Sequence, residues 1–430
     1  MRRIVTFLSI AGVIVLVAPV VLAGLDPEAE LGKLVFFDDT LSANANQSCA
    51  SCHAPESGWT GPIHAINEGG AVYEGSVSGR FGGRKPPSSA YAAQSPIFHL
   101  DDELFVGGNF WDGRATGEKL GTPAADQAQG PFLNPLEQAL PGPADVIDRI
   151  CTGSYAGLFL NVCGSEACEP ANAHQAYDCV GLAIAAYEAS PEVNAFTSKY
   201  DYALAGVVRL TRQEKKGLAI FRGKGKCAKC HLLSGEAGPP MVPTVESNDS
   251  GGIVEFALDR ATAVEVDPAV QSRPLFTDFT YDNIGAPRNP VNPFYDQLAY
   301  NPLGDAWIDV GLGGFLESRM DYSQYAAEEY GKHKVPTLRN VDLRPYVGFV
   351  KAYSHNGYFK SLKDIVHFYN TRDVLPYCLE MSGNPGVDCW PEPEVSLNVN
   401  TSELGDLGLS EADEWALVAF LATLSDGYQP

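Results

Sequence analysis

Positive charge is scarce in this chain. Its 430 residues hold 30 Lys and Arg against 53 Asp and Glu, a formal −23 at pH 7. That balance argues against nucleic acid and against an anionic membrane as partners. It suits a basic protein partner, or serves as a solvated acidic surface that aids solubility. Methionine is rarer still, 4 residues, and there are only 8 histidines. No cysteine follows the apolar run at the N-terminus, so a lipoprotein anchor is not indicated.

Residues 1–23 read as a signal peptide. Arg2 and Arg3 form a basic start, Ile4 to Val21 an apolar core, and Val21-Leu22-Ala23 a small-residue cleavage site. The run nearly reaches membrane-spanning length, but Pro19 and the cleavage site favour removal, leaving Gly24 first and no stable membrane anchor. Losing two arginines and no acids takes the formal −23 to about −25. The ten cysteines agree with export. Four belong to motifs described next, and the even remainder reads as disulfides. Cys378–Cys389 is the natural local pair. Cys151, Cys163, Cys168 and Cys179 allow three connectivities, of which Cys163–Cys168 with Cys151–Cys179 is preferred. The periplasm, or the cell surface beyond it, is the expected compartment.

Two stretches organise the rest: Cys49-Ala50-Ser51-Cys52-His53 and Cys227-Ala228-Lys229-Cys230-His231. Each is C-x-x-C-H, the attachment signature of c-type haem. Two thiols add across the haem vinyl groups, and the histidine after the second cysteine is carried under the iron as proximal ligand. Zinc would want a second cysteine pair nearby, and the motifs lie far apart. A thioredoxin-like redox pair has no need of the histidine, which both copies have. The reading is two covalent haems, with His53 and His231 as iron ligands.

The chain divides into two similar halves. Glu30 to Phe37 forms a short amphipathic helix before the first motif. Thr211 and Glu214 form a capping box before a helix from Lys215 to Phe221 and the second motif. Apolar helices close each half, Val180 to Tyr187 and then Trp415 to Leu424, the latter opened by Ser410 and Asp413. Between them, Gly69–Ser89 and Pro239–Gly252 read as loops. The expected fold is mainly α: two cytochrome c-like haem domains with long irregular loops and few strands. Residues 24–200 form the N-terminal domain and 201–430 the C-terminal one.

If peroxide meets the first haem iron, O–O cleavage needs a group that takes a proton from one oxygen and returns it to the other. A buried carboxylate suits that role, with an amide beside it to orient the peroxide. Glu137 and Gln127 are the candidates. Here the chain resembles the bacterial dihaem cytochrome c peroxidase and MauG family over essentially its whole mature length. The resemblance rests on both haem motifs and on FWDGRA, QAQGPFLNPLE, GLAIFRGKGKCAKCH, VPTLRNV, SHNGYF and LKDIVHFYN. It implies that the first haem reacts with peroxide, that Gln127, Pro131 and Glu137 form its distal pocket, and that Trp111 supports electron transfer. A short insertion around Gly121–Ala125 separates Trp111 from Gln127.

The second haem's distal ligand distinguishes subfamilies. Peroxidases that only detoxify place Met on a late helix. The matching position here is Tyr369, as in MauG-type enzymes. Ile365, Phe368 and Tyr369 share one helical face, and His367 points elsewhere. Thioether stabilises ferrous iron, whereas phenolate stabilises oxidised iron and lowers the potential. Tyr369 thus lets the second haem share oxidising equivalents. Met241, Met320 and Met381 are rival ligands, none at the matching position. His355 matches a family histidine near the second haem or its propionates; Arg339 serves propionates or holds its loop. His64 suits a surface role better than gating. His99, His174 and His333 carry no readable signal. Many members bind calcium between the domains, but Lys85 and Val350-Lys351-Ala352-Tyr353 replace the expected residues. A lysine is a poor neighbour for a hard cation, so calcium is not expected there. Gly225 stands where MauG has a tryptophan.

The combined reading is a periplasmic dihaem oxidoreductase using hydrogen peroxide. It oxidises a partner protein through a high-valent dihaem state, with the FVKAYSHNGYF stretch closest to the MbnH-type group, which modifies tryptophan. Two alternatives are a cytochrome c peroxidase fed by a small cytochrome or cupredoxin, and a non-catalytic dihaem electron carrier.

Overall fold

The computed structural model describes residues 24–233, 273–378 and 383–430. The leader 1–23, the 239–252 loop, Met241 and Met381 lie outside the described residues.

The architecture is helical. Strands amount to two small antiparallel pairs: β1 (His99–Asp101) with β2 (Leu104–Val106), and β3 (Tyr281–Asp282) with β4 (His333–Lys334). In the first half, α1 runs Pro27–Phe36. Asp26 starts it, its carboxylate accepting from the Ala29 N–H at 2.8 Å, with proline at the first position, where its missing N–H costs nothing. After α2 (His64–Glu68) come α3 (Pro123–Leu133), α4 (Pro143–Thr152), α5 (Ala156–Cys163) and the closing helix α6 (Ala173–Ala189). In the second half, α7 (Lys199–Leu204) and α8 (Arg212–Arg222) precede α9 (Gly311–Glu317), α10 (Leu362–Thr371) and the closing helix α11 (Glu411–Ala422). The expected capping boxes, Thr211 with Glu214 and Ser410 with Asp413, open α8 and α11.

The two halves repeat one packing device. α1 crosses α6, and α8 crosses α11. At the first crossing sits Gly32, where an added Cβ would come within 1.8 Å of the Ala183 carbonyl oxygen. At the second sits Gly217, whose added Cβ would come within 1.9 Å of the Ala416 carbonyl oxygen. Both crossings are therefore backbone against backbone, and only glycine allows them. Around the first, Leu31, Val35, Phe36, Trp59, Phe132, Ile184 and Tyr187 form one apolar core. Around the second, Tyr200, Phe221, Phe276, Phe368, Leu417 and Phe420 form another.

The halves are joined by buried charge as well as apolar contact. Arg339, 1% exposed, donates to both Asp201 carboxylate oxygens at 2.8 and 2.9 Å and to the Pro274 carbonyl at 2.8 Å. Its guanidinium lies 4.5 Å from the centre of the Phe196 ring. Tyr91 donates to Asp426 at 2.6 Å.

Cys378–Cys389 is present as expected. The other pairing differs from the preferred one: the bridges are Cys151–Cys168 and Cys163–Cys179. Cys163 is the last residue of α5, which packs on α6 where Cys179 lies. The connecting loop carries Cys168 back to the end of α4, where Cys151 lies. Packing of three helices, rather than closeness in sequence, decides the partners.

Two outcomes test this description. Gly217→Ala should lower stability by about 1–3 kcal/mol through overpacking, read as a shift in the urea midpoint, whereas Gly157→Ala, in α5 with open space around it, should cost less. Peptide mapping without reduction should recover Cys151 linked to Cys168; recovery of Cys163 linked to Cys168 contradicts the structure.

Candidate active site

Each C-x-x-C-H motif folds into a single tight turn. In the first, the His53 N–H donates to the Cys49 carbonyl at 2.9 Å. In the second, the His231 N–H donates to the Cys227 carbonyl at 2.9 Å. The turns place both cysteines and the histidine on one wall of a cavity. His53 Nδ1 lies 3.3 Å from the Trp59 carbonyl oxygen, and His231 Nδ1 lies 2.8 Å from that of Phe276. A carbonyl only accepts, so Nδ1 carries the proton and Nε2 keeps its lone pair for the cavity. Burial holds the His53 imidazole down at about 4 and lowers that of His231, which keeps both neutral. Six cysteines are disulfide-bonded, while Cys49, Cys52, Cys227 and Cys230 are free thiols. Free thiol pairs, an oriented imidazole and an apolar cavity fit a covalently attached haem at each motif.

The first cavity, which His53 lines, is also lined by Gln127, Pro131, Glu137 and Trp111. Gln127 and Pro131 are four residues apart on α3 and so share a face. Glu137 arrives from the turn after α3, where its N–H donates to the Asn134 carbonyl at 3.0 Å and the Gln138 N–H to that of Pro131 at 3.1 Å. Burial raises the Glu137 carboxyl above the usual range, against the opposing pull of Arg114 and Asn134. Among the described residues lining this cavity there is no Met and no second His. Its one tyrosine, Tyr73, is engaged with Asn67 and the Ile63 N–H.

The second cavity differs. Tyr369, on α10, lines it together with Cys227, Cys230 and His231. Ser361 caps this helix, accepting from the Asp364 N–H at 3.1 Å. His367 points away and meets Glu414 at 2.8 Å. Burial pushes the Tyr369 hydroxyl well above its ordinary value, with Asp282 adding to the effect. Its proton would leave only against a strong local positive charge, such as a ferric centre.

The remaining expected residues fall as follows. Trp111 borders both cavities, and its indole N–H donates to the Lys85 carbonyl at 2.8 Å. His355 and Arg339 line the second cavity, although the Arg339 guanidinium is committed to Asp201 and Pro274. Met320 is 98% exposed, which removes it as a ligand. His64 accepts from the Val350 N–H at 3.0 Å. Where calcium was doubted, Lys85 and Lys351 are buried and bind backbone carbonyls. Burial lowers the Lys85 ammonium to about 8 and that of Lys351 well below its usual value. A further cation there would face two buried lysine side chains, which offer it no anionic oxygen. At Gly225 an added Cβ would meet the Ile220 carbonyl oxygen at 2.9 Å, so no larger side chain fits.

Sequence reasoning missed several groups. Arg114 stacks on Phe110, 3.8 Å from the ring centre, and acts on Glu137. Glu188 lines the first cavity as a second buried carboxyl, pushed up by burial to about 8. Arg84 bridges Asp112 and Asp309 at 2.5 to 2.7 Å. Arg114 lies inside the FWDGRA motif; Glu188, at the end of an apolar helix, offered no signal.

A chain with two such sites is a two-haem c-type cytochrome. Residues 26–209 match the family model described as di-haem cytochrome c peroxidase. Over 409 residues the chain is 33% identical to the methylamine utilization protein MauG of Paracoccus denitrificans (strain Pd 1222), covering 94% of this chain and 90% of that protein. It is 26% identical over 413 residues to the cytochrome-c peroxidase IdrP2 of Pseudomonas sp. (strain SCT), 94% of this chain and 82% of the other. The crystal structure of the diheme peroxidase BthA from Burkholderia thailandensis E264 superposes with a TM-score of 0.71 at 30% identity, covering 94% of this chain and 87% of that one. The chain belongs to the di-haem cytochrome c peroxidase and MauG family. It carries two c-type haems and is a MauG-like, peroxidase-type oxidoreductase.

Glu137→Gln should lower kcat/KM for peroxide by about 10²–10⁴-fold with both haems retained. In the wild type, activity should fall as pH drops through the raised Glu137 value, because the base is then protonated. Measured from pH 4 to 8, that acid limb should vanish in the variant.

Proposed function

We propose that hydrogen peroxide binds at the open face of the His53 site and that the oxidising equivalents are passed, past Trp111, to the His231 site and on to a partner protein. The observation that carries this is the cavity that His53 lines together with Glu137, Gln127 and Pro131. When bound, the haems supply iron that cleaves O–O and stores oxidising equivalents. The chain supplies everything else. Glu137 takes a proton from the incoming peroxide oxygen and returns it to the leaving one. Gln127 orients the peroxide, and Pro131 narrows the site. Trp111, fixed by Lys85, spans the gap between the cavities.

Tyr369 is assigned as distal ligand of the second haem. A phenolate favours oxidised iron, so this haem would share oxidising equivalents rather than wait as a reduced donor. The substrate is taken to be a protein oxidised at its surface. We place the first haem domain at 24–200, the second at 201–430 and the protein in the periplasm. Among the described residues no helix is long and apolar enough to cross a membrane.

One equivalent of hydrogen peroxide, added to the fully oxidised protein without reductant, should change the optical bands of both haems. Silence until one haem is reduced points instead to a cytochrome c peroxidase fed by a small redox protein. Silence in every state points to an electron carrier. Tyr369→Met should raise the potential of the second haem by on the order of 100 mV or more, read by spectroelectrochemistry.

A further inference from the structure

Two histidines lie face to face in the second cavity, near Trp111. The rings of His333 and His355 stack with centres 3.6 Å apart and planes 8° from parallel. Both residues are buried, 8% and 6% exposed. His333 Nδ1 lies 3.0 Å from the Gly331 carbonyl oxygen, which fixes the proton on Nδ1 and leaves a lone pair on Nε2. His355 Nδ1 faces the Ser354 hydroxyl at 3.3 Å. Neither Nε2 has a hydrogen-bond partner among the described residues.

What faces these two nitrogens is negative. Asp309 Oδ1 lies 3.3 Å from His333 Nε2, and Glu394 Oε2 lies 3.4 Å from His355 Nε2. Ligand atoms of Asp309, His333 and His355 all fall within 4.8 Å of one another. The His333 Nε2 lone pair, facing the Asp309 oxygen, is repelled unless a positive charge lies between them. Protons alone serve poorly, because two imidazolium rings stacked this closely repel each other. Burial, and then the neighbouring His355, also hold His333 below its ordinary value.

We infer that His333 Nε2, His355 Nε2 and Asp309, completed by Glu394, form a binding site for a divalent transition metal of the Zn²⁺ or Cu²⁺ class. Two imidazoles with two carboxylates are a borderline donor set that suits these ions better than calcium. The outer partners fit the assignment. Gly331 orients one imidazole, and Asp309 is held by Arg84 at 2.6 and 2.7 Å and by the Gly311 N–H at 3.0 Å. Ligating side chains are commonly fixed in this way. Arg84 also offsets one of the two carboxylate charges. A haem carboxylate in the same place would meet Asp309 and Glu394 head-on. The site is linked to Trp111 on two sides, the second through Lys85, whose carbonyl takes the Trp111 indole N–H. The Lys334 N–H, next to His333, donates to the Trp111 carbonyl at 2.9 Å, and the Lys85 N–H donates to the His355 carbonyl at 2.8 Å. A bound ion would tie these two segments together beneath Trp111. The inference does not depend on what the haems do.

The test uses the holoprotein, treated with chelator and then titrated with Zn²⁺. Metal analysis should find one zinc per chain beyond the two haem irons, and calorimetry should show binding at least ~100-fold weaker in His333→Phe, a variant that keeps the ring stack. Haem content and melting temperature of the variant check its fold. Cu²⁺ in the wild type should give an electron paramagnetic resonance spectrum with two nitrogen ligands. No ion beyond iron in the wild type, or undiminished zinc binding in a folded His333→Phe, overturns the assignment. Should the variant not fold, a Cu²⁺ spectrum without two nitrogens overturns it alone.

Discussion

The hydrogen bond between each proximal imidazole and a backbone carbonyl, His53 to Trp59 and His231 to Phe276, is the constraint on which the rest depends. It fixes which nitrogen faces the cavity. It holds only if the carbonyl-bearing segment is fixed, so Trp59 is packed against Phe36 and Tyr187, and Phe276 against Tyr200, Phe221 and Phe420. Phe36, Tyr187, Phe221 and Phe420 belong to the helices that cross at Gly32 and Gly217, and Tyr200 belongs to α7 beside them. The close helix crossing, the aromatic packing and the oriented ligand therefore form one connected structure, built twice.

What differs between the halves is the rest of the cavity lining. In the first it presents an amide, a proline and a carboxyl in a dry setting, which suits a transient polar ligand and a mobile proton. In the second it presents a phenol whose own proton is hard to remove without iron. On the proposed function, the same frame serves chemistry at one haem and storage at the other. Trp111, bordering both cavities, is held from both halves: its indole by Lys85 and its carbonyl by Lys334.

Much of this was readable in the sequence because the chemistry is local. C-x-x-C-H places thiols and imidazole by spacing alone, and capping boxes such as Thr211 with Glu214 mark helix starts within four residues. Gln127 and Glu137 were candidates on their chemistry, and the family resemblance added Pro131 to them. Features that depend on packing between distant segments were not readable. The pairing of Cys151 with Cys168 follows from three helices meeting. His333 carried no signal, because its partners His355, Asp309 and Glu394 are distant in sequence. Glu188 looks like an ordinary helix-end carboxylate until the cavity is seen beside it.

The account rests most heavily on Tyr369 as a ligand, since that assignment separates an enzyme that shares oxidising equivalents between its haems from one that does not. Resonance Raman spectra of the ferric protein, excited in the phenolate-to-iron charge-transfer region, address it directly. The wild type should show phenolate modes that disappear in Tyr369→Phe while both haems remain attached. A ferric spectrum without such modes, or one unchanged by the substitution, would contradict the account.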